Sequence, residues 1–269
     1  LLVNDDTISI ARLLPYINFI HQFSYDRKKT NRWSQERNLL KKIYRKYDIS
    51  INLTASDRSV LYAMFASKKS ISAIEKNIGK SWWKRILLSK YYHYDVEKHI
   101  LINNSEPLNI LNINHKDIQR SIAVSDEIIF KIKDKLRSLG ITDFIIFHPS
   151  AQYYYKIYPR RTRNQLLKSL SKIGVPIIVT GSSNRIDSEI KKEIPELENI
   201  FNFIGDTSLE EYFALSQLSM AYIGMDTLNM HIAASQGKRI FAIFGPTNVK
   251  MWSPWSNVLQ KATNQNKHI

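Results

Sequence analysis

Short apolar runs alternate with helical segments through the second half of this 269-residue chain. Each run has the length and composition of a buried parallel strand, and amphipathic patterns follow or precede it. Strand–helix–strand alternation is typical of a doubly wound parallel sheet, so the sequence predicts a Rossmann-like α/β domain here. The predicted strands are residues 144–147, 175–180, 200–203, 221–224 and 240–245.

A shorter version of the same pattern occupies the first half. Residues 17–23 and 49–53 are β-rich, and the predicted helices are residues 35–47, 58–66, 81–89 and 96–110. Since 269 residues suffice for two cores, we expect an α/β protein with two Rossmann-like domains facing a cleft, residues 1–139 and 140–269. Ser125 is the predicted N-cap of the helix before this boundary, and Gly140 its C-terminal cap.

Two adjacent tryptophans stand out in the helix at residues 81–89. Trp82, Trp83, Ile86 and Leu87 are spaced to cover one apolar face. We therefore expect both tryptophan side chains to be part of the core.

The chain is strongly basic, with 39 Lys and Arg against 24 Asp and Glu and a formal net charge of +15. The electrostatic field of so many positive charges attracts nucleic acid, an anionic membrane face or a polyanionic substrate. A charged surface that only keeps the protein solvated explains the composition equally well. No nucleic-acid recognition module accompanies the charge, which disfavours that partner. The absence of a membrane-length apolar run, a signal peptide and cysteine predicts a cytoplasmic protein without disulfides or cysteine-based zinc sites.

Polar side chains gather after two of the predicted strands. Asp226, Thr227 and His231 follow the strand at 221–224, and Ser150 and Lys156 follow the strand at 144–147. The carboxyl ends of parallel strands are where open α/β sheets bind ligands. A phosphate-bearing small molecule suits this set, with Lys156 as the first phosphate ligand. The alternatives are a solvent-exposed Lys156 and, favoured for His148, a hydrogen-bonded packing residue.

Weaker signals follow the next two strands. The turn at residues 181–184 suits backbone binding of a nucleotide, and Thr207 precedes a predicted capping box formed by Ser208 and Glu211. The sequence lacks the G-x-S-x-G elbow of a serine hydrolase and any clustered set of metal ligands. It also lacks the glycine-rich motifs of dinucleotide-binding proteins and of P-loop kinases. Of the function classes considered, the one that remains is chemistry on a nucleotide sugar, without a metal or cofactor.

Five short motifs in the second half resemble those of glycosyltransferase family 9, the lipopolysaccharide heptosyltransferases. They are HPSA (148–151), KIYP (156–159), GDTSLEE (205–211), MDT-x-x-MHIAA (225–234) and IFGPT (243–247). The resemblance implies the GT-B fold and inverting, metal-independent transfer of heptose from ADP-heptose to an anionic inner-core acceptor. It implies that Ser150 and Lys156 contact the donor phosphates and that Thr207 lies near the base. Asp226, Thr227 and His231 would then hold the diphosphate and sugar. Acceptors on the anionic inner leaflet further imply peripheral contact with the inner membrane.

Two departures from the family pattern leave an alternative open. Leu228 and Asn229 stand where members commonly have Gly-Pro, and the general-base aspartate of the family would precede Leu1. The catalytic residue is therefore unknown, and we expect the chain to be cut at both ends. On that expectation these residues alone bind donor but transfer little sugar. The alternative is a catalytically silent nucleotide-sugar-binding remnant.

Overall fold

The computed structural model describes residues 1–24, 31–114 and 122–255. The chain forms two compact units, Leu1–Gln119 and Arg120–Ile269. The division precedes the predicted boundary at residues 139 and 140, because helix α6 (Asp126–Ser138) packs against α9 (Leu209–Leu218) of the second unit. Ile132 and Leu136 of α6 are buried. Residues 256–269, where a cut C-terminus is expected, lie outside the described residues.

In the first unit, residues 1–24 and 31–114 form two parallel sheets. One pairs β1 with β2, and the other has the order β3-β4-β5. The predicted strands at residues 17–23 and 49–53 are present as β2 and β3. The elements are β1 (Leu2–Asn4), α1 (Ile8–Leu13), β2 (His21–Phe23), α2 (Arg32–Ile43), β3 (Ile49–Asn52), α3 (Asp57–Ala66), β4 (Lys69–Ile74), α4 (Ile78–Leu87), β5 (Lys90–His93) and α5 (Ile100–Ile110).

Strands β4 and β5 were not predicted from the sequence. For β4 the reason is that buried serines interrupt its apolar pattern. Ser70 and Ser72 lie in the core although their side chains are polar. The hydroxyl of Ser72 donates to the carbonyl of Ala73 at 2.9 Å and accepts from Asn52 Nδ2 at 2.8 Å. Satisfied hydroxyls allow serine to occupy positions that a hydropathy pattern assigns to apolar residues.

Helix α4 also differs from prediction. Trp83 is half-buried and packs against the cluster of Val60, Ile74 and Leu88, as expected. Trp82 is 58% exposed, and its assignment to the core was wrong. The cause is Lys84, which is completely buried on the opposite side of the helix.

The second unit is a five-stranded parallel sheet in the order β10-β9-β6-β7-β8, covered by helices. The fully buried core includes Phe147, Leu167, Ile177 and Val179. Parallel α/β architecture is therefore confirmed. Its remaining elements are β6 (Ile145–His148), α7 (Arg160–Ser171), β7 (Ile177–Val179), α8 (Arg185–Glu193), β8 (Ile200–Asn202), β9 (Ala221–Met225), α10 (Leu228–Ser235), β10 (Arg239–Ile243) and α11 (Val249–Trp252).

Local signals position these helices as the sequence indicated. Ser125 Oγ accepts from the N–H of Ile128 and caps α6, and Gly140 just after that helix has φ +69°. Ser208 and Glu211 form the predicted capping box at α9. Within the described ranges, no helix is both long and apolar enough to cross a membrane.

Candidate functional site

The five-stranded sheet changes winding direction between β6 and β9. From β6 the chain proceeds to β7 and β8 on one side, and then returns to β9 and β10 on the other. The loops that follow β6 and β9 therefore diverge at neighbouring strand ends. Such a switch point is where open α/β sheets leave a crevice for a ligand.

Gly224 brings these two strand ends close together. It pairs with His148 across the β6–β9 ladder, and a Cβ at this position would clash with the His148 carbonyl and lie 2.8 Å from the Tyr222 hydroxyl. The Tyr222 hydroxyl in turn donates to the carbonyl of Met225 at 3.0 Å. Only glycine fits at this contact.

His148 ends β6 and is buried behind the switch point. Its Nδ1 lies 3.1 Å from Thr180 Oγ1 and accepts from Asn229 Nδ2 at 3.0 Å. Burial lowers the pKa of His148 to about 4, so the imidazole is neutral near pH 7. The interpretation of His148 as a hydrogen-bonded packing residue is confirmed, and Asn229 ties the start of α10 to the end of β6.

Ser150 is buried, and its hydroxyl donates to Asp187 Oδ1. The buried carboxylate of Asp187 also accepts from the backbone N–H of Ser182 at 2.5 Å, the Ser182 hydroxyl at 2.7 Å and Asn184 Nδ2 at 3.1 Å. Several donors to one carboxylate compensate for its burial. Asp187 thereby joins the loop after β6 to the loop after β7, and the Ser150 hydroxyl serves this junction.

The loop after β9 leads directly into α10. The half-buried Asp226 donates its backbone N–H to the carbonyl of Ile243 at 3.1 Å, which holds the loop beside β10. Thr227 is the N-cap of α10, but its hydroxyl lies 3.4 Å from the Met225 carbonyl and makes no capping bond to the first turn. The first-turn amides of α10 lack this cap, and a helix N-terminus with uncapped amides attracts anions.

Lys156 lies in the long loop that follows β6, at the end of a 3-10 turn, Tyr154–Lys156. It is half-buried, and its ammonium group has no ion-pair or hydrogen-bond partner among residues 1–24, 31–114 and 122–255. Tyr154 anchors the turn by donating to Glu189 Oε2 at 3.0 Å. Lys156 is thus an available cation in a loop at the carboxyl edge.

The other two predicted ligands lie on different elements. His231 is half-buried in the first half of α10, and its backbone N–H donates to the carbonyl of Thr227 at 3.4 Å. Thr207 is half-buried in the turn between β8 and α9. Because β8 is the edge strand, two places from β6, Thr207 belongs to a more distant part of the carboxyl edge than the loops of the switch point.

Sequence reasoning missed two residues that organise the site, Asp187 and Asn229. Asn184 caps α8 by accepting from the N–H of Asp187 at 2.8 Å, so an Asn and an Asp three residues apart at a helix start were the available signal. Asn229 was noted only as a departure from the family pattern. No local signal connects it to His148, since 81 residues separate the two.

The second unit thus combines a parallel sheet, a helix N-terminus at the switch point and, in the loop after β6, a lysine that is unpaired within the described part of the chain. These features are typical of Rossmann-type α/β proteins that bind nucleotides. The sequence model of Glycosyltransferase family 9 (heptosyltransferase) matches residues 36–269. The chain therefore belongs to this family of glycosyltransferases, as its motifs indicated.

Individual relatives agree with the assignment. The chain is 24% identical over 270 residues to lipopolysaccharide heptosyltransferase 3 of Escherichia coli K12, covering 97% of this chain and 77% of the relative. It is 29% identical over 136 residues to lipooligosaccharide heptosyltransferase 2 of Haemophilus influenzae, covering 49% and 39%. The family of lipopolysaccharide heptosyltransferases is thus supported over nearly the whole chain.

Solved structures have the same fold. The glycosyltransferase family 9 structure from Veillonella parvula superposes with a TM-score of 0.76 at 18% identity, covering 96% of this chain and 74% of that one. ADP-heptose lipopolysaccharide heptosyltransferase II of E. coli gives 0.67 at 19% identity, covering 96% and 78%. The predicted fold class therefore agrees with known heptosyltransferase structures.

Proposed function

We propose that this protein transfers heptose from ADP-heptose to the inner core of lipopolysaccharide or lipooligosaccharide, with inversion and without a divalent metal. Family membership supports the heptose and the acceptor class. Structures of E. coli heptosyltransferase WaaC with ADP and with ADP-2-deoxy-2-fluoro heptose, at TM-scores of 0.70 and 0.69, support the ADP-linked donor.

The observation that carries the donor site is the uncapped N-terminus of α10 at the β6–β9 switch point. The amides of its first turn and the ammonium of Lys156 would bind the diphosphate. Asp226, Thr227 and His231 would hold diphosphate and sugar, and Thr207 would lie near the base. The Ser150 hydroxyl already donates its hydrogen bond to Asp187. We therefore propose that Ser150 contacts the phosphate through its backbone N–H.

Transfer then proceeds as a single displacement. The acceptor hydroxyl oxygen attacks the anomeric carbon, the bond from that carbon to the phosphate oxygen breaks, and ADP leaves with the electron pair. Lys156 and the α10 amides stabilise the charge that accumulates on the diphosphate. The proton of the acceptor passes to a general base, a role that we assign to none of the residues named here.

Nucleotide-dependent melting tests the donor assignment. ADP should raise the melting temperature of the protein, since a ligand at about 100 times its Kd stabilises the folded state by roughly 2.7 kcal/mol. UDP at the same concentration should have a smaller effect. Equal shifts with both nucleotides, or none with ADP, would contradict the proposal.

A transfer assay separates the enzyme from the silent remnant. Leu228, the first residue of α10, is 45% exposed at the start of this helix, where its side chain would narrow a sugar site. With the full-length protein, binding of ADP without release of ADP from ADP-heptose in the presence of acceptor would favour the remnant. Turnover that depends on acceptor would exclude it.

We also propose that the protein works in the cytoplasm and makes peripheral contact with the inner membrane. The net charge of +15 suits an anionic leaflet and an acceptor bearing phosphates and acidic sugars. Added salt should release the protein from anionic membranes, because screening weakens such contacts. Binding that is insensitive to salt would contradict an electrostatic attachment.

A further inference from the structure

Helix α4 of the first unit is packed with a charged side chain inward. The ammonium of Lys84 is completely buried and bonds to Glu75 Oε2 at 2.8 Å, Asp57 Oδ1 at 2.7 Å and the Ala55 carbonyl at 2.6 Å. Ser81, one turn earlier on the same side, is buried as well. These bonds determine which side of α4 faces the core.

The opposite side of α4 is apolar and exposed. Ile78, Trp82 and Ile86 follow one another at spacings of four residues, so they line one side of the helix. They are 67%, 58% and 71% exposed. Single exposed apolar residues are ordinary, but three in a row on one helix face indicate a surface that binds something. We call these three residues the α4 apolar face.

The charges around this face indicate the kind of partner. Residues 76–90 contain Lys76, Lys80, Lys84, Arg85 and Lys90 and no acidic residue. Lys84 is neutralised in the interior, and Lys76 pairs with Asp95 at 3.0 Å. Arg85, three residues after Trp82, flanks the face. Arg85 lies over the ring of Tyr91 at 5.7 Å from its centroid. Apolar side chains flanked by a cation, on a segment without carboxylates, match an anionic lipid surface, whereas a basic or neutral protein groove would not complement this charge.

We propose that the α4 apolar face is the surface by which this protein docks on an anionic lipid bilayer. Trp82 would lie at the level of the headgroups, Ile78 and Ile86 would enter the acyl boundary, and Arg85 would contact lipid phosphates. The proposal rests on the peripheral membrane contact proposed above and deepens it by naming the docking residues. It does not depend on the donor site, which lies in the other unit.

Co-sedimentation with vesicles tests the docking surface. The wild-type chain should bind vesicles of equal parts phosphatidylethanolamine and phosphatidylglycerol, and bind phosphatidylcholine vesicles weakly. The double variant Ile78→Ser/Ile86→Ser should lose about tenfold or more in partitioning, because two aliphatic side chains no longer enter the lipid. Arg85→Gln should lose about fivefold, because one cation is removed from beside the anionic surface. The control Phe130→Ser, at a 67% exposed residue of α6, should bind like wild type.

Each outcome bears on a different claim. Equal vesicle binding by wild type and the double variant would overturn the docking surface, as would binding to both vesicle types alike. If the wild-type protein bound neither type of vesicle, the proposed membrane contact itself would be refuted. The melting temperature with ADP would still test the donor site separately. Loss of a dimer in sedimentation equilibrium, without loss of lipid binding, would assign the face to a second copy. An unchanged melting temperature of the double variant would show that its fold is intact.

Discussion

In the proposed donor site, Lys156 is the residue on which donor binding should depend most directly. Its ammonium lies unpaired, among the described residues, in the loop at the end of β6. We expect Lys156→Ala to weaken ADP binding about tenfold or more, because a hydrogen bond to a charged group contributes roughly 1.5–3 kcal/mol. Isothermal titration with ADP measures the change. Lys168→Ala, at an exposed lysine in the last turn of α7, is the matched control and should bind like wild type.

His148 makes stability depend on pH. Its pKa is lowered by burial to about 4 in the folded protein, while an unfolded imidazole titrates near 6.5. Between these values the unfolded chain binds more protons, so stability is present above about pH 6.5 and is lost as the pH falls towards 4. From about pH 7.5 to about pH 5, the loss attributable to His148 should be about 2 kcal/mol.

Urea unfolding at the two pH values checks this expectation. His148→Gln removes the titrating group and keeps a side-chain acceptor for Asn229, so its stability should fall less than that of wild type over the same interval. An identical fall in both proteins would mean that His148 does not titrate as its burial implies.

At the scale of elements, the contact of β6 with β9 depends on one glycine. Gly224→Ala would press a methyl group against the His148 carbonyl and the Tyr222 hydroxyl, both of which are buried. We expect a loss of at least about 2 kcal/mol in the free energy of unfolding, as for other overpacked cores. Gly245→Ala is the control, since a Cβ there meets nothing within 4 Å. Urea denaturation compares the two, and equal stabilities would contradict the tight contact.

Helix α4 shows how far an element can be predicted from its own residues. Periodicity correctly indicated a helix around residues 81–89 and grouped its apolar side chains. Which side faces inward depended on Asp57, Glu75 and Ala55, which lie outside the helix and hold Lys84 in the interior. A buried lysine with three partners is stable, and no hydropathy pattern reports such partners.

At the scale of the whole molecule, all six proposed donor ligands lie in the second unit. A protein of residues 120–269 should therefore fold and bind ADP with an affinity close to that of the full chain. A protein of residues 140–269 lacks α6 and its buried Ile132 and Leu136, and we expect it to be less stable by several kcal/mol, roughly 2–5 for each large side chain lost. Thermal melting and ADP titration of both fragments measure the effect. Equal melting temperatures would place the domain boundary after α6.

The sequence by itself determined the order of strands and helices in the second unit, the caps of α6 and α9, and the family. These features are encoded locally, in apolar periodicity, turn residues and short motifs. They can therefore be recognised without knowing which helices and strands pack against one another. The tertiary structure alone decided that Ser150 bonds to Asp187, that Asn229 contacts His148, that Trp82 faces outward and that α6 belongs to the second unit. Each of these depends on a segment distant in the chain, because burial and hydrogen bonding are satisfied between elements rather than within them.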